Sequence, residues 1–253
     1  MSTKTANSAP PRSTGAASAR GGGPAMMQGV QSVSVPGQPE TIATARPEPL
    51  PWWKRFLDIA VITLLAPVLA PLAVVLSLWV KLSSRGPVLF RQERIGQGGR
   101  LFTIYKFRSM QTGASSRRHE EHVADLCGSD RPMTKLDALG DSRLIPGAGF
   151  LRKTGLDELP QLVNVLRGEM SIVGPRPCLP GELSYYRPRD LERFRAAPGL
   201  TGFWQVNGKN KTTFNEMVAM DIHYARNTSL WLDLLIIART PFALLEQVLT
   251  RNI

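Results

Sequence analysis

Residues 56–80, FLDIAVITLLAPVLAPLAVVLSLWV, form a long apolar run that contains one charged residue, Asp58. At about 1.5 Å per residue, a helix of this length is long enough to cross a bilayer. Pro67 and Pro71 lie in the middle of the run. Each lacks a backbone N–H and crowds the carbonyl four residues earlier, so the sequence predicts a kink or break there.

The flanks of this run leave two topologies open. Trp52 and Trp53 stand beside Lys54 and Arg55, a pattern typical of membrane-interface anchors, and basic residues also follow the run. Since both ends are basic, the positive-inside rule selects neither as the outside. A re-entrant helix-break-helix, with about 12 residues in each arm and both ends cytoplasmic, fits the charges and the prolines. A kinked helix that crosses once is the alternative, because spanning helices tolerate proline.

Beyond residue 85 the pattern predicts an α+β fold, mainly helical with a β-hairpin. GPVLFRQERIGQGGRLFTIYKFRSM (86–110) has two runs of strand formers around a glycine turn, which predicts the hairpin. PGLTGFWQVNGKN (198–210) is rich in turn formers, and Asn207-Gly208 predicts a hairpin-type turn. SLWLDLLIIARTPFALLEQVLT (229–250) predicts an apolar helix at a membrane interface or in the core.

The first fifty residues differ from the rest in composition. They are dominated by Ser, Ala, Gly, Pro and Thr and contain no aromatic residue. Such a segment buries too little apolar surface to offset its ordering entropy, and it lacks the apolar core of a signal peptide. We therefore predict a disordered tail over 1–50, a membrane segment over 51–84 and one cytosolic domain over 85–253.

Charge narrows the possible partners. The net charge is +11, and residues 85–118 alone contain eight basic residues against one acid, Glu93. Such an excess indicates an anionic partner, which can be a lipid headgroup, a phosphorylated substrate or a nucleic acid. The two cysteines, Cys127 and Cys178, form no motif, so a reduced setting is expected.

Two adjacent acids, Asp157 and Glu158, stand at the start of the apolar run in KTGLDELPQLVNVLRGEM. A structural explanation is available, because an Asp157 N-cap would place Pro160 in the first helical turn, where its missing N–H costs nothing. Four apolar residues would then form the buried stripe of that helix, and three polar residues would lie on its other face. The stripe consists of Leu159, Leu162, Val163 and Leu166, and the polar face of Asp157, Gln161 and Asn164. The acids would serve only to favour the helix N-terminus.

A chemical explanation assigns the two carboxylates different tasks. One can attack phosphorus as a nucleophile while the other holds a hard cation such as Mg²⁺. Nearby cations would neutralise the phosphate oxygens that otherwise repel the nucleophile. Candidates for that task are Lys106, Arg108, Arg152 and Arg176. Lys106 and Arg108 are two residues apart, so they are expected to share a strand face, and Arg176 lies in a rigid Gly-Pro-Arg-Pro turn.

The order of these blocks resembles the bacterial sugar transferases, the monotopic phosphoglycosyl transferases that begin exopolysaccharide and glycan assembly. The resemblance rests on KRFLDIAVITLLAPVLAPL, the 86–110 hairpin, LRKTGLDELPQLVNVLRGEMSIVGPRP, PGLTGFWQVNGKN and MDIHYARNTSLWLDL, and covers about residues 52–245. It implies transfer of a sugar-1-phosphate from a UDP-sugar to a polyprenyl phosphate with release of UMP. It also implies a re-entrant membrane segment, interfacial helices, and a catalytic domain on the cytoplasmic side of the inner membrane.

The resemblance assigns roles to individual residues. It implies that Asp157 is the nucleophile that carries the phospho-sugar and that Glu158 binds Mg²⁺, so the acid pair is the candidate metal site. Other positions that it places in or near the site are Lys106, Arg152, Arg176 and Asp221. Lys209 stands where an arginine is frequent, and Gly155 where many relatives have a hydroxyl residue. The membrane break of the family falls at Pro71, preceded here by Ala70 rather than serine, and Pro67 is additional.

Two other classes of function are compatible with parts of the sequence. A membrane-anchored nucleic-acid binder would explain the charge, but the chain has no recognisable nucleic-acid motif and such a protein does not need the acid pair. A non-catalytic membrane scaffold would need only the apolar segments and would tolerate loss of Asp157. For the enzyme, overall similarity to exopolysaccharide-initiating members favours galactose or glucose as the transferred sugar.

Overall fold

The computed structural model describes residues 49–113, 117–134 and 143–249. The tail predicted over 1–50 therefore lies almost entirely outside the described residues. The α-helices are α1 (Trp52–Ser83), α2 (Arg117–Cys127), α3 (Ala148–Thr154), α4 (Leu162–Arg167), α5 (Phe203–Asn207), α6 (Phe214–Arg226) and α7 (Leu230–Leu249). The strands are β1 (Leu89–Ile95), β2 (Leu101–Phe107), β3 (Ser171–Val173) and β4 (Gly199–Thr201). The 3-10 helices are Gln97–Gly99, Leu156–Gln161, Pro180–Tyr185 and Pro188–Arg195.

The predicted β-hairpin is confirmed. Strands β1 and β2 pair antiparallel from Leu89 opposite Phe107 to Ile95 opposite Leu101. Gln97–Gly99 forms the connection, and Gly98 and Gly99 both have positive φ, a conformation that glycine adopts without steric cost. The hairpin-type turn predicted at Asn207-Gly208 is wrong. Asn207 is the last residue of the short helix α5, because the apolar side chains of PGLTGFWQVNGKN pack as a helix against α6 and α7.

Helix α1 is long and apolar enough to cross a membrane. It has a mean hydropathy of 2.7 over its most apolar 18 residues, none of which is buried. The helix continues through Pro67 and Pro71 without interruption, and the re-entrant topology predicted for this segment stays a prediction. A proline in a helix loses one hydrogen bond, and the many remaining bonds of a 32-residue helix keep α1 helical on both sides of each proline.

Both ends of α1 pack against the same domain. Near its start, Asp58 accepts hydrogen bonds from Ser171 Oγ at 2.9 Å and from the Ile172 backbone N–H at 2.8 Å. Near its end, Val80 is fully buried in an apolar cluster that includes Phe107. A straight helix of about 48 Å that crossed a bilayer would place these ends on opposite sides of it. Both ends of α1 instead contact one domain.

Helix α7 contacts three other elements of the fold, which are α1, β4 and α3. Asp233 near its start forms a buried ion pair with Lys54 of α1, at 2.6 Å between Oδ2 and Nζ. Thr240 exchanges a hydroxyl hydrogen bond with Thr201 of β4 at 2.8 Å. Gln247 Nε2 donates to the backbone carbonyl of Lys153 in α3 at 3.0 Å. The predicted apolar helix is confirmed, and it runs through Pro241 with most of its apolar side chains exposed.

A short parallel pairing of β3 and β4 sets the start of the Gly-Pro-Arg-Pro loop (residues 174–177). Ser171 pairs with Gly199, and Val173 pairs with Thr201. Gly174 follows β3 so closely against the neighbouring chain that a Cβ atom there would lie 2.1 Å from the Ala197 carbonyl oxygen. Glycine is required at this approach because any side chain would push the two segments apart.

Candidate active site

The acid pair lies inside the 3-10 helix Leu156–Gln161. Gly155 precedes this helix with φ +71°, a left-handed conformation that ends α3 and turns the chain. This conformation explains the glycine at a position where a side chain would be strained. The predicted N-cap role of Asp157 is wrong, because Gly155 occupies the cap and no side-chain cap bond is present.

The predicted buried stripe is also partly wrong. Val163 and Leu166 are 42% and 48% exposed, whereas Asn164 of the supposed polar face is completely buried. Asn164 Nδ2 donates to the Thr103 carbonyl at 2.7 Å, and its Oδ1 accepts from the Tyr105 backbone N–H at 3.3 Å. The polar side of this segment faces the hairpin because the edge of β2 offers it hydrogen bonds. Its apolar side is left at the surface.

The two acids differ in their surroundings. Asp157 is only 7% exposed, whereas the side chain of Glu158 is 39% exposed. Glu158 Oε1 accepts a hydrogen bond from Lys106 Nζ at 2.8 Å, which joins the 3-10 helix to the end of β2. The prediction that Lys106 lies at the acid pair is therefore matched by a direct contact. One carboxylate is nearly buried and its neighbour is accessible to solvent. This difference suits two separate tasks, nucleophilic attack and cation binding.

Arg152 reaches the same end of β2 from helix α3. Its Nη1 donates to Ser109 Oγ at 3.0 Å, and Ser109 is itself buried. The Ser109 carbonyl accepts from the Ile145 backbone N–H at 3.1 Å, which holds the chain before α3 in place. Sequence reasoning missed Ser109, since a lone serine after a predicted strand carries no distinctive signal.

Arg108 has a different position from the one predicted. Strand β2 ends at Phe107, so Arg108 does not continue the alternation that would place it beside Lys106. Its Nη2 donates to the Ser84 carbonyl and hydroxyl, both at 2.8 Å, and its Nη1 to the Arg85 carbonyl at 3.0 Å. Arg108 thus stabilises the C-terminal end of α1, where carbonyl groups lack intrahelical partners.

Arg176, in the Gly-Pro-Arg-Pro loop, forms an ion pair with a buried carboxylate. Arg176 Nη1 lies 3.0 and 2.8 Å from the two carboxylate oxygens of Glu182, which is 2% exposed. Asp221 was predicted to bind substrate, but it is fully buried in α6 and pairs with Arg193 at 2.5 Å. Arg193 in turn donates to the Arg176 carbonyl at 2.8 Å. In this structure Asp221 therefore stabilises the loop indirectly, through its ion pair with Arg193.

Arg94 connects the loop with the acid pair electrostatically. It is 6% exposed, its Nη1 donates to the Pro177 carbonyl at 3.1 Å, and it forms no ion pair with any described carboxylate. Burial, together with the charge of Arg176, lowers the pKa of Arg94 to about 10, although Glu182 and Glu158 act in the opposite direction. Arg176 and Glu158 thus act on one buried cation, which sequence reasoning did not select.

Three further residues noted in the sequence, Lys209 and the two cysteines, are not among the contacts described above. Lys209 is half-buried in the turn between α5 and α6. Both cysteines are free thiols, and burial raises the pKa of Cys127 and of Cys178 to about 12. Thiols with such raised pKa values contain little thiolate at neutral pH, so the acid pair is the better nucleophile candidate.

The acid pair has the donor chemistry for Mg²⁺. The described residues contain no cluster of three or more His, Cys, Asp or Glu that could enclose a metal. Mg²⁺ commonly takes one or two protein carboxylates and completes its shell with water and substrate phosphates. Asp157 and Glu158 fit that requirement, with the partly exposed Glu158 as the more accessible ligand.

Known proteins resemble most of this chain in sequence. Residues 50–247 match the family described as bacterial sugar transferase. The exopolysaccharide production protein ExoY of Sinorhizobium fredii is 38% identical over 187 residues, which are 74% of this chain and 83% of that protein. A UDP-glucose:undecaprenyl-phosphate glucose-1-phosphate transferase of Caulobacter vibrioides is 42% identical over 200 residues, or 76% of this chain and 69% of that protein.

A third relative is a longer protein that matches this chain over less than half of its own length. An undecaprenyl-phosphate galactose phosphotransferase of Salmonella typhimurium is 36% identical over 201 residues, which are 77% of this chain but 40% of that protein. The family match over residues 50–247 includes the hairpin, the acid pair and the Gly-Pro-Arg-Pro loop described above. With its family match over most of its length, the chain belongs to the bacterial sugar transferase family and is an enzyme of the phosphoglycosyl transferase class.

Proposed function

We propose that this chain transfers a sugar-1-phosphate from a UDP-sugar to undecaprenyl phosphate, releases UMP, and thereby starts a surface glycan such as an exopolysaccharide. The observation that carries the proposal is the Asp157–Glu158 pair on a short 3-10 helix, with Lys106 bonded to Glu158 at 2.8 Å. Relatives named for glucose-1-phosphate and galactose transfer to undecaprenyl phosphate support the donor and acceptor classes.

In the first step a carboxylate oxygen of Asp157 attacks the sugar-bearing phosphorus of the UDP-sugar. A bond forms between that oxygen and phosphorus, and the bond from phosphorus to the bridging oxygen breaks. The electron pair leaves with UMP, and the sugar–oxygen bond stays intact. The near-complete burial of Asp157 limits the water that would otherwise hydrolyse the acyl phosphate.

In the second step an oxygen of undecaprenyl phosphate attacks the same phosphorus. The bond to Asp157 breaks, which restores the carboxylate and yields undecaprenyl diphosphate sugar. Lys106 and Arg152 would offset the negative charge of the phosphate oxygens in both steps, and Arg176 would do so for the donor diphosphate in the first step. Glu158, with Asp157 beside it, would hold Mg²⁺, and the bound cation would supply charge neutralisation for the diphosphate.

The lipid acceptor requires the site to lie at a membrane surface. The chain is membrane-associated by its family and by the apolar helix α1. The contacts of both α1 ends with one domain support a re-entrant path in which that domain stays on the cytoplasmic face of the inner membrane. Exposed apolar side chains of α7, among them Trp231 and Phe242, would lie along the same interface.

This topology predicts that residues 53 and 84 are both accessible from the cytoplasmic side. Single cysteines are introduced at these positions after Cys127 and Cys178 are replaced by serine, and a membrane-impermeant thiol reagent is applied to intact cells and to inverted membrane vesicles. We expect labelling of both positions in inverted vesicles only. Labelling of position 53 in intact cells, with position 84 labelled only in inverted vesicles, would instead establish a spanning helix.

The experiment that tests the reaction uses purified full-length protein in detergent with Mg²⁺ and undecaprenyl phosphate. A panel of UDP-sugars is supplied, and nucleotide products are separated by chromatography. We expect UMP as the initial product, with UDP-glucose or UDP-galactose as the best donor. Attack at the anomeric carbon would release UDP instead and would contradict the proposal. A non-catalytic scaffold would release neither nucleotide.

A further inference from the structure

Glu182 holds one edge of the Arg176 guanidinium. Both of its carboxylate oxygens lie within hydrogen-bond distance of Arg176 Nη1, at 3.0 and 2.8 Å. Oε1 also accepts from the backbone N–H of Leu179 at 3.0 Å, which fixes the carboxylate against its own loop. A carboxylate that is 2% exposed is costly to bury without such partners. The carboxylate and the arginine therefore have a defined mutual orientation.

The charge state of this pair is defined as well. Burial by itself raises the pKa of Glu182, but the charge and hydrogen bond of Arg176, the charge of Arg94 and the Leu179 N–H lower it by more. The net pKa lies below the ordinary value, so Glu182 is ionised at neutral pH. The same contact raises the pKa of Arg176 against the opposing effect of burial.

The other edge of the guanidinium is open. Within the described parts of the chain, Arg176 donates side-chain hydrogen bonds only through Nη1, and its side chain is 19% exposed. Its Nε and Nη2 hydrogens therefore remain available. These two N–H groups form the fork that binds two oxygens of a phosphate at once.

The backbone beneath Arg176 is held independently of Glu182. Arg193 Nη2 donates to the Arg176 carbonyl at 2.8 Å, and Arg94 Nη1 donates to the Pro177 carbonyl at 3.1 Å. Arg193 is fixed in turn by its buried pair with Asp221. Removing the Glu182 charge would therefore release the side chain of Arg176 while two buried arginines still hold the loop.

We propose that Glu182 is a positioning residue that aims the open edge of Arg176 at the diphosphate of the nucleotide-sugar donor. The inference rests on the proposed function, because it assumes that Arg176 binds a donor phosphate. Glu182 does not touch the substrate and acts only through Arg176. Its effect should therefore fall on donor binding and should leave the lipid acceptor unaffected.

Glu182→Gln tests this assignment, because glutamine keeps the size of the side chain but removes its charge. In the UMP-release assay we expect the KM for the UDP-sugar to rise roughly 10- to 100-fold, as for loss of a charged hydrogen bond, while the KM for undecaprenyl phosphate stays unchanged. Glu192→Gln is the matched control, since Glu192 pairs with Arg226 at the surface, and it should behave as wild type.

A second measurement separates positioning from a general structural effect. In an Arg176→Gln background, adding Glu182→Gln should change the donor KM by less than about twofold, because the group it positions is already absent. Additive effects of the two substitutions would overturn the proposal. So would a folded Glu182→Gln protein with a wild-type donor KM, or an equal rise in the acceptor KM.

Further measurements distinguish a folding defect of Glu182→Gln, and a failure of the proposed function, from a failure of the positioning role. If Glu182→Gln does not fold, Glu182→Asp keeps the charge on a shorter side chain and should raise the donor KM to a lesser extent, whereas a wild-type value would contradict the inference. Failure of the proposed function itself has another signature, because wild-type and Glu192→Gln proteins would then both release no UMP. The positioning role fails alone when both proteins release UMP and the Glu182 variants do so with unchanged donor KM.

Discussion

Asp157→Asn should reduce turnover by at least about 10³-fold while the protein stays folded and membrane-associated. Asparagine has nearly the size of aspartate and can form similar hydrogen bonds, but it lacks the negative charge needed to attack phosphorus. Asp157 lies within the 3-10 helix, whose N-cap residue is Gly155, so the substitution leaves the cap residue unchanged. Loss of activity would therefore not follow from loss of a terminus-stabilising contact.

The measurement compares UMP release by wild type, Asp157→Asn and Asp125→Asn. The last is a matched control, because Asp125 is an exposed aspartate that pairs with Arg131 on the surface. It should retain full activity. Circular dichroism and thermal melting would verify the fold of each variant, and mass spectrometry would exclude deamidation back to aspartate.

A trapping experiment addresses the intermediate directly. Incubation with a sugar-labelled UDP-sugar, without the lipid acceptor, should leave labelled sugar phosphate on the wild-type and Asp125→Asn proteins after an acid quench. The Asp157→Asn protein should carry none. Full activity in a folded Asp157→Asn protein, with deamidation excluded, is incompatible with a covalent aspartyl intermediate.

The second large effect is expected from Lys54→Met, which should destabilise the protein by about 3–5 kcal/mol. Lys54 is 2% exposed, and its Nζ donates to Asp233, to the Tyr224 hydroxyl at 2.9 Å and to the Val173 carbonyl at 2.8 Å. Removing the ammonium leaves the Asp233 carboxylate buried without its cation. Such an uncompensated charge is among the most destabilising changes in a protein interior.

Thermal unfolding in detergent would measure this effect as a decrease of roughly 10 °C in the transition midpoint. Lys211→Met is the matched control, because Lys211 pairs with Glu246 at 2.8 Å, close to the 2.6 Å of Lys54 and Asp233, but its two side chains are 74% and 62% exposed. Its midpoint should stay within about 2 °C of wild type. Adding Asp233→Leu to Lys54→Met should restore part of the loss, since both charges are then gone.

An equal midpoint for the two lysine variants would contradict the role of the buried pair. The expected difference also bears on topology. Lys54 belongs to α1, whereas its partners belong to α6, α7 and the end of β3, so the ion pair connects the membrane helix to the domain that contains the site. Loss of Lys54 should therefore loosen the attachment of the start of α1.

Local sequence determined several features of this protein. The hairpin followed from strand formers around a glycine turn, and α1 followed from a long apolar run, because alternation and hydrophobicity act within a few residues of the chain. The acid pair and the rigid arginine turn were visible as unusual residues beside apolar segments. The family resemblance drawn from these blocks is confirmed by the match over residues 50–247.

Tertiary structure decided which partner each polar side chain takes. Asn164 is buried and Val163 is exposed because backbone groups of the hairpin form hydrogen bonds with Asn164, and these bonds override the stripe pattern of an isolated helix. Arg108 turns to the carbonyls that end α1, which lie over twenty residues away in sequence. No local periodicity encodes such choices, since they depend on where distant segments of the chain meet.

The dependence on contacts between distant segments also explains why only part of the candidate site could be recognised from the sequence. Asp157, Glu158, Lys106 and Arg176 were recognisable from residue type and spacing, because the chemistry of phosphate transfer demands carboxylates and cations. Their supporting residues, Glu182, Arg193 and Arg94, look in the sequence like ordinary surface charges. Only folding buries them, and burial makes each charge depend on a specific partner. The sequence thus determined which groups are candidates for the chemistry, and the tertiary structure decided how they are held, because orientation arises from contacts between segments far apart in the chain.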